Sequence, residues 1–482
     1  MSIVEHSAAF RARRFLNWFP LGLAYAFLYM GRYNLTVAKN ELGQLMTKED
    51  FGIIFAAGTF VYAIAFLLNG PIVDRQGGRR GMLISVTGAG IANLVMAYYL
   101  RHVTSTGSAD SDTLRWVFSA LYGVNMYFQS YGAVAIVKVN ASWFHVEERG
   151  GFSGIFGTMI SSGLFFAFTV NPWILSLVKG KGPMQWVVFA APGILLLALA
   201  VFEYFVLRDR PSQAGHADFD TGDASSGEDE KPVPTLQLLK RIFTNPIIVT
   251  VALIEFCTGV LRNGVMHWFP IYVKEVWVLP PDHMLNNGSW ERPWLVGVAF
   301  VVAAVSFWIA SRAVEGRRGL LYVLGALAFL SPFVQGGWGG LLFIAGVIGS
   351  NVAGWVSQLF FQNRRAPAAG GLYVILTVCT VGMIFTLGAP ATEVAWSDAK
   401  DTPPEKALIA GDHLKSIAGQ DVSGWADVRR AVACWQPKEC VASGWDATEC
   451  LCASNVTTAA QGPGTIPARV VRDGKEIDIE LA

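Results

Sequence analysis

The stretch Gly70-Pro-Ile-Val-Asp74-Arg75-Gln-Gly77-Gly78-Arg79-Arg80 (residues 70–80) joins two long apolar runs. Its glycines permit a tight turn, and its aspartate and arginines can pair with neighbouring helix ends in one conformation and release them in another. A loop that is merely basic would explain the arginines but not the glycines and the aspartate at these spacings. The stretch therefore predicts a conformational-switch loop made by Gly70, Asp74, Arg75, Gly77, Arg79 and Arg80.

The composition places this loop in a membrane protein. Of the 482 residues, 53% are hydrophobic and only 15% are charged, and the mean hydropathy is +0.41. A typical soluble protein has about 25% charged residues, so a water-soluble globule could not hide this much apolar surface. A soluble enzyme, a nucleic-acid binder and a disordered scaffold are therefore disfavoured. We expect a multi-pass membrane protein with a soluble part attached.

The apolar runs predict about 11 transmembrane helices. A helix needs about 20 residues to cross the roughly 30 Å of bilayer hydrocarbon. The first run contains Arg32 and lacks a small-residue cleavage site, so we expect it to remain as a helix rather than to act as a signal peptide. The runs lie at 15–38, 52–72, 80–100, 115–138, 152–175, 184–207, 246–273, 294–313, 319–334, 338–361 and 370–390.

The basic residues predict the orientation of these helices. If successive helices alternate in direction, the arginine clusters before the first helix and after helices two, six, eight and ten all fall on one side. The positive-inside rule makes that side cytoplasmic. We therefore expect a cytoplasmic N-terminus and, because the number of helices is odd, an external segment after Pro390.

The apolar runs, together with the composition of the segments between and after them, divide the chain into four parts. Residues 1–207 form a first six-helix bundle, and residues 208–245, rich in acidic residues, Ser, Gly and Pro, form a cytoplasmic acidic linker. Residues 246–390 form a second helical bundle, and residues 391–482, which are charged and rich in turns, form a soluble external domain.

Several stretches carry a resemblance to a known family. The loop at residues 70–80 resembles the signature loop of the major facilitator superfamily. Further stretches look like the organophosphate:phosphate antiporters, which include the glycerol-3-phosphate and hexose-phosphate transporters. They are Tyr25-Ala-Phe-Leu-Tyr29-Met-Gly-Arg32-Tyr-Asn34-Leu, Trp143 to Gly151, Leu207 to Gly215, Leu261-Arg262-Asn-Gly264 to Lys274-Glu275-Val, and Ala345 to Ser357.

The resemblance implies an all-α membrane fold of the major facilitator type in a bacterial inner membrane. Two departures from the family pattern alter the second bundle. Residues at about 280–337 add a pair of apolar runs between the family's helices seven and eight, and the match stops after the family's ninth helix of twelve. We therefore expect an incomplete second bundle with an inserted helix pair.

The resemblance also implies a binding site. It places Arg32 and Arg262, on the first helices of the two halves, around the phosphate of a substrate, with Tyr25, Tyr29 and Gln129 beside them. A guanidinium suits this task because its donor fork meets two phosphate oxygens at once. The alternative is that the arginines pair with inward carboxylates and the tyrosines only pack between helices.

Three residues depart from the family's pattern around that site. Phe66 and Ile160 stand where the phosphate transporters carry a lysine and a histidine, so the substrate is either a phosphorylated metabolite or another small organic anion. Glu255 lies seven residues before Arg262, on the same helix face. It could neutralise Arg262, carry a proton during transport, or simply reach water near the helix end.

The external part resembles the later part of a bacterial PDZ domain. Residues 410–432 read as strand, turn, strand and helix, and residues 470–481 read as a hairpin with an Asp-Gly turn. PDZ domains bind peptides by adding a strand to their sheet, but no carboxylate-binding loop is recognisable before Pro403. Cys434, Cys440, Cys450 and Cys452 predict two disulfides, with a metal site as the alternative. Cys257 and Cys379 are expected to be free.

These features predict a secondary active transporter that exchanges a small organic anion for phosphate, with no cofactor and no enzymatic activity. Its partners are the anion, inorganic phosphate, the lipid bilayer and, through the PDZ-like domain, a peptide or protein; no nucleic acid is expected. An intramembrane metalloprotease would need a motif such as His-Glu-x-x-His, and none occurs. The rival prediction is a transporter-like receptor that senses the anion and signals through the PDZ-like domain.

Overall fold

A computed structural model describes most of the helical part of the chain and a small C-terminal sheet. The chain divides into two compact units, one drawn from residues 1–41, 46–268 and 280–369 and one from residues 42–45, 269–279 and 370–482. The described residues are 6–42, 45–106, 110–178, 184–222, 235–273, 293–312, 315–334, 336–362, 364–386, 394, 408–409, 411–422, 424, 427–428, 431 and 466–481.

The prediction of a mostly helical fold is confirmed, and within the described residues each of the predicted apolar runs is largely helical. Six helical segments among the described residues have the length and composition to cross a membrane, and the count of eleven spans stays a prediction. The helices are α1 (Ala8–Leu42), α2 (Lys48–Gln76), α3 (Gly78–Thr106), α4 (Ser111–Trp143), α5 (Val146–Phe165), α6 (Asn171–Ser176), α7 (Val187–Val206), α8 (Thr235–Thr244), α9 (Pro246–Tyr272), α10 (Pro293–Arg312), α11 (Glu315–Val334), α12 (Gly337–Phe361) and α13 (Arg365–Thr386).

Local sequence signals set the two ends of α2. At its start, the Thr47 hydroxyl accepts a hydrogen bond from the backbone N–H of Asp50, and the Asp50 carboxylate accepts one from the backbone N–H of Thr47. This reciprocal pair is a capping box. At its end, Gly77 adopts φ +89° and donates its N–H to the carbonyl of Val73. A positive φ favours glycine, so Gly77 allows the chain to turn directly into α3.

Helices α1–α7 pack closely because glycines bring their backbones together. A Cβ atom built on Gly90 of α3 would lie 3.2 Å from the carbonyl oxygen of Gly193 of α7, and the converse distance is 3.1 Å. Gly78 makes a similar contact, 2.9 Å, with the carbonyl oxygen of Ala135 of α4. Membrane helices associate through such small residues because lipid provides no hydrophobic driving force between them. Trp143, Tyr122, Phe118 and Phe189 are fully buried between these helices.

The segment between α5 and α6 departs from regular helix. Residues Phe166–Val170 form a π-helical turn, and the Thr169 hydroxyl within it donates a hydrogen bond to the carbonyl of Gly336. Further along the same pair of helices, Gly346 of α12 lies against the Ser161 side chain of α5. The π-turn therefore contacts the residues at the start of α12.

The first part of the predicted acidic linker, residues 208–245, packs against the helices rather than extending into solvent. The rings of His216 and Phe219 lie 5.5 and 5.8 Å from the ring of Phe10 in α1. The backbone N–H of Val146 donates to the carbonyl of Thr221. Further along, Thr235–Thr244 is helical. The acidic residues Asp223, Glu228, Asp229 and Glu230 lie outside the described residues.

The C-terminal part contains a four-stranded antiparallel sheet. Its strands are β1 (His413–Ile417), β2 (Gln420–Asp421), β3 (Ile466–Arg472) and β4 (Lys475–Leu481), in the order β2-β1-β3-β4. The predicted hairpin at residues 470–481 is confirmed, since β3 pairs with β4 across Asp473-Gly474. Both turn residues have positive φ, at 49° and 76°. This is the turn geometry whose twist suits a two-residue hairpin.

A buried ion pair links the residue before β1 to the last residue of β3. Arg472 donates from Nε and Nη2 to the two carboxylate oxygens of Asp412, at 2.7 and 2.8 Å, and Asp412 is fully buried. These hydrogen bonds hold the pKa of Asp412 below its usual range. The PDZ-like assignment stays a prediction. Cys434, Cys440, Cys450 and Cys452 lie outside the described residues, and Cys257 and Cys379 are free thiols.

Candidate functional site

A cavity of about 370 Å³ lies between α1, α2, α4 and α9. It brings together Arg32 and Arg262, which are 230 residues apart in the sequence, and it also contains Tyr25 and Tyr29. Among the described lining residues there is no carboxylate. The full lining is Tyr25, Tyr29, Arg32, Tyr33, Phe55, Thr59, Tyr62, Phe66, Met126, Ala133, Arg262, Asn263 and His267.

Arg32 is held in one orientation on the α1 side of this cavity. Its Nε donates a hydrogen bond of 2.9 Å to Gln129 Oε1. The guanidinium carbon lies 4.6 Å from the ring centre of Tyr62 and 5.1 Å from that of Tyr29, so two aromatic faces add cation–π attraction. Its buried Nη2 has no hydrogen-bond partner among the described residues. Arg32 therefore combines a fixed position with a donor left for a ligand.

A buried amide network supports Arg32 from behind. Gln129 Nε2 donates to Asn125 Oδ1 at 3.1 Å, and Asn93 Nδ2 donates to the same oxygen at 3.0 Å. Asn34 Nδ2 in turn donates to Asn93 Oδ1 at 2.7 Å. All four amide side chains are fully buried. Gln129, which the resemblance places beside the arginines, is not among the residues that line the cavity, and its Oε1 holds the Arg32 side chain in position.

Arg262 differs from Arg32 in its surroundings. Its side chain is exposed, and it makes no ion pair or side-chain hydrogen bond with the rest of the described chain. Asn263 lies beside it in the cavity wall. The α9 side of the cavity therefore presents a guanidinium whose whole donor fork is open to a ligand.

The walls are aromatic on the α1 and α2 sides. Tyr25 is 9% exposed, with its ring centre 5.2 Å from that of Tyr29. Phe66, which replaces the family's lysine, lines the cavity with its ring 5.9 Å from that of Tyr62. Ile160, which replaces the family's histidine, packs at the edge of the helical core. The cavity therefore offers an aromatic surface where the resemblance implies a cation.

His267 is a lining residue that sequence reasoning missed. It is 1% exposed, and its Nδ1 lies 2.6 Å from Thr36 Oγ1 of α1. Its ring stacks on Tyr33, with centres 4.7 Å apart and planes at 22°. The signal was available, because an ionisable residue within an apolar membrane run is a functional candidate by default. His267 also lies inside the stretch from Leu261 to Val276 that carries the family resemblance.

Glu255 does not share the cavity with Arg262. Its side chain is exposed and is absent from the lining, and it forms no ion pair with another described residue. Seven residues along a helix correspond to about 10.5 Å. The shared helix face predicted from the sequence therefore leaves Glu255 about two turns away from Arg262, too far for a direct contact.

The predicted switch loop is tied to two neighbours. The Asp74 carboxylate lies 3.1 Å from Lys138 Nζ of α4, and the backbone N–H of Arg79 donates to Asp209 Oδ1 at 2.7 Å. A Cβ atom on Gly77 would lie 2.9 Å from Asp209 Oδ2. Gly70 has open space around it, and Arg75 and Arg80 are exposed.

The chemistry that this arrangement supports is anion binding. Two guanidinium groups converge on a cavity whose described lining has no compensating carboxylate, so a bound anion would offset their mutual repulsion. The described residues contain no cluster of histidine, cysteine, aspartate and glutamate able to hold a metal ion.

Comparison with known proteins agrees with the helical architecture. Residues 21–386 match the Major Facilitator Superfamily. The membrane sensor protein UhpC of Salmonella typhimurium is 22% identical over 434 residues, covering 87% of this chain and 86% of that protein. The glycerol-3-phosphate transporter of Haemophilus influenzae is 21% identical over 441 residues, covering 83% of each. A probable hexose phosphate transport protein of Chlamydia pneumoniae is 25% identical over 369 residues, covering 70% of this chain and 74% of that protein.

Proposed function

The chain belongs to the Major Facilitator Superfamily, and we propose that it is a secondary transporter that moves a small organic anion across the bacterial inner membrane by alternating access. The anion is a phosphorylated metabolite such as glycerol 3-phosphate or a sugar phosphate, and it exchanges for inorganic phosphate. Two of the relatives described above are named as transporters of such compounds.

The observation that carries this proposal is the shared cavity of Arg32 and Arg262. These residues belong to α1 and α9, the first helices of the two predicted halves. Secondary transporters typically bind substrate at the interface between their repeats, near the bilayer midplane. An anion bridging the two arginines would join the halves, and its release would let them separate.

The cavity also bears on which anion is bound. Arg32 and Arg262 provide two planar donor forks, which match the oxygens of a phosphate or a carboxylate. The aromatic wall at Phe66 removes a third cation that the family pattern would supply. A phosphate monoester remains the first candidate because two guanidinium charges balance its two negative charges, and a carboxylate is the second.

Replacing each arginine with lysine tests the proposal. Lysine keeps the charge but loses the fork geometry. Each charge-assisted hydrogen bond contributes roughly 1.5–3 kcal/mol, so anion binding should weaken by about tenfold to a hundredfold or more. The measurement is the ligand-induced shift in thermal unfolding with inorganic phosphate, glycerol 3-phosphate, glucose 6-phosphate and gluconate. Lys48→Ala is the surface control. If Arg262→Lys binds every anion as the parent does, the two-arginine site is wrong.

The second candidate function is a sensor, because one relative is named as a membrane sensor protein. In that case the anion would bind without being transported, and the C-terminal sheet, if it is PDZ-like, would pass the signal to a peptide or protein. Uptake by proteoliposomes distinguishes the two. Proteoliposomes of a transporter that are preloaded with phosphate should accumulate labelled glycerol 3-phosphate, and Arg32→Lys should reduce this uptake. Binding without uptake by the parent would favour the sensor.

A further inference from the structure

The ionisable side chain of His267 lines the cavity, and the anion-binding proposal gives it no role. It lies on α9, five residues after Arg262, and it is almost fully buried. Burial of an ionisable group inside an apolar helix is unfavourable unless the group is used or well partnered.

The imidazole is fixed by contacts on both of its sides. Nδ1 lies 2.6 Å from the hydroxyl oxygen of Thr36. One ring face stacks on Tyr33, and the ring centre of Phe55 on α2 lies 4.2 Å away. Because Thr36 engages Nδ1, Nε2 is the nitrogen left for a ligand, and no hydrogen bond to Nε2 occurs within the described part of the chain.

The charges around His267 come from three helices. On α1 they are Arg32 and the titratable phenol of Tyr33, on α2 the phenol of Tyr62, and on its own helix Arg262. Phe51 and Phe55, the α2 residues that contact the ring, are uncharged. With the cavity empty, the two guanidinium charges disfavour a third positive charge on the imidazole. A bound anion between the arginines adds negative charge and therefore favours a positive charge on the imidazole.

We propose that His267 takes up one proton when an anion enters the cavity, so that anion binding is coupled to proton binding; this rests on the anion site proposed above. The neutral imidazole gains a proton from solvent and becomes an imidazolium with two N–H donors. Nδ1–H donates to Thr36 Oγ1 and Nε2–H donates to the anion. Because coupling between two sites is reciprocal, lowering the pH tightens anion binding.

The test uses anions that keep the same charge between pH 5.5 and 8, so that any pH dependence belongs to the protein. Binding of sulfate and of gluconate to the purified full-length chain is measured across this range at constant ionic strength. We expect the affinity of the parent for sulfate to rise as the pH falls, by at most about tenfold per pH unit for one proton. Gluconate, with one negative charge, should show a smaller rise.

Three variants identify the residue responsible. In His267→Gln the amide can still donate to the anion but cannot gain a proton, so the pH dependence should disappear. Thr36→Val removes the acceptor for Nδ1–H, so the pH dependence should move to lower pH; this variant also serves if His267→Gln does not fold. His102→Gln, at an exposed site near the end of α3, should retain the pH dependence of the parent.

The outcomes separate this inference from the site on which it rests. If sulfate or gluconate binds with the same affinity at every pH in the parent, or if His267→Gln or Thr36→Val keeps the parent's pH dependence, the proton coupling is wrong while the anion site stands. If neither anion binds at any pH, both proposals fail.

Discussion

Helices α1–α7 and helices α9–α13 are both apolar, but they differ in how much of their surface is buried inside the protein. In α3, 56% of the most apolar window is buried, and in α7 the figure is 50%; in α9 none of it is buried and in α13 only 6%. Among the described residues, seven amide side chains are buried and all seven lie on α1–α7, whereas the buried polar side chains of α9–α13 are His267 and Ser357.

This contrast shows that hydropathy alone does not distinguish the inside of a helical bundle from its lipid-facing surface. In lipid, an apolar surface gains little by being covered, whereas a polar side chain must find a partner within the protein. The α1–α7 region is therefore organised by its buried amides and glycines, and the α9–α13 helices expose the side chains that suit lipid tails. Four predictions test this difference.

The largest effect is expected for Asn125→Leu in α4. This change removes the acceptor for Gln129 Nε2 and the donor to the carbonyl of Gly31. Each buried group left unpaired costs about 1–3 kcal/mol. Thr377→Val on α13, where the exposed hydroxyl donates to the carbonyl of Tyr373 within its own helix, should change stability by about 0.5 kcal/mol or less. Unfolding by a denaturing detergent in mixed micelles measures both. Equal losses would show that the two regions do not differ in this way.

Replacing a glycine with alanine should lower the free energy of unfolding in α1–α7 and raise it in α9–α13. A Cβ atom on Gly163 of α5 would lie 2.8 Å from the carbonyl oxygen of Ala26 and 2.6 Å from Tyr29 Cβ. Such overpacking costs about 1–3 kcal/mol. Gly382 of α13 has open space around it, so alanine there should stabilise by about 0.5–1 kcal/mol through helix propensity. The same unfolding assay applies. A stabilised Gly163→Ala variant would contradict the close packing of α5 on α1.

Acid should weaken the first region through Glu148. Burial alone would raise the pKa of this carboxyl, but the hydrogen bond and charge of Arg14, 2.9 Å away, outweigh it and hold the pKa below its usual range. A lowered pKa in the folded state means that this stabilisation is present above the ordinary glutamate pKa and is lost as the pH falls below it.

We therefore expect Glu148→Gln to lower the melting temperature at pH 7 and to make it less sensitive to acid below about pH 5. Glu255→Gln on α9, an exposed carboxylate with no ion pair among the described residues, should leave the pH dependence of melting unchanged. Melting curves between pH 7 and pH 3.5 decide this. If the melting temperature of Glu148→Gln falls with pH as steeply as that of the parent, Glu148 is not the source of the acid sensitivity.

The smallest effect on stability is expected for Asp74→Asn in the switch loop. The Asp74–Lys138 pair is exposed, with side chains 62% and 47% accessible. Exposed pairs contribute about 0–1 kcal/mol, so melting should barely change. If the loop is a switch, the rate of anion exchange in proteoliposomes should still fall. Lys138→Gln should reproduce the result, and an unchanged exchange rate in both variants would reduce the pair to a surface contact.

Much of the helical architecture could be predicted because its cause is local. Runs of about 20 apolar residues must satisfy their backbone hydrogen bonds within the membrane, and a helix does so within one segment. The Asp-Gly turn of the C-terminal hairpin could be predicted for a similar reason, since two residues with positive φ determine its twist. The packing of the linker was harder to predict, because Phe219 contacts Phe10, which lies more than 200 residues earlier in the chain.

By itself, the sequence determined that this chain has apolar helices joined by a glycine-containing loop, and that Arg32 and Arg262 lie within two of them. A guanidinium inside an apolar run needs a polar partner, so both residues stood out as site candidates. Only the tertiary structure decided that Gln129 orients Arg32, that Glu255 stays outside the cavity, and that Thr36 meets His267. These contacts depend on how each helix is rotated and how deeply it lies, which packing against neighbouring helices sets and hydropathy does not encode.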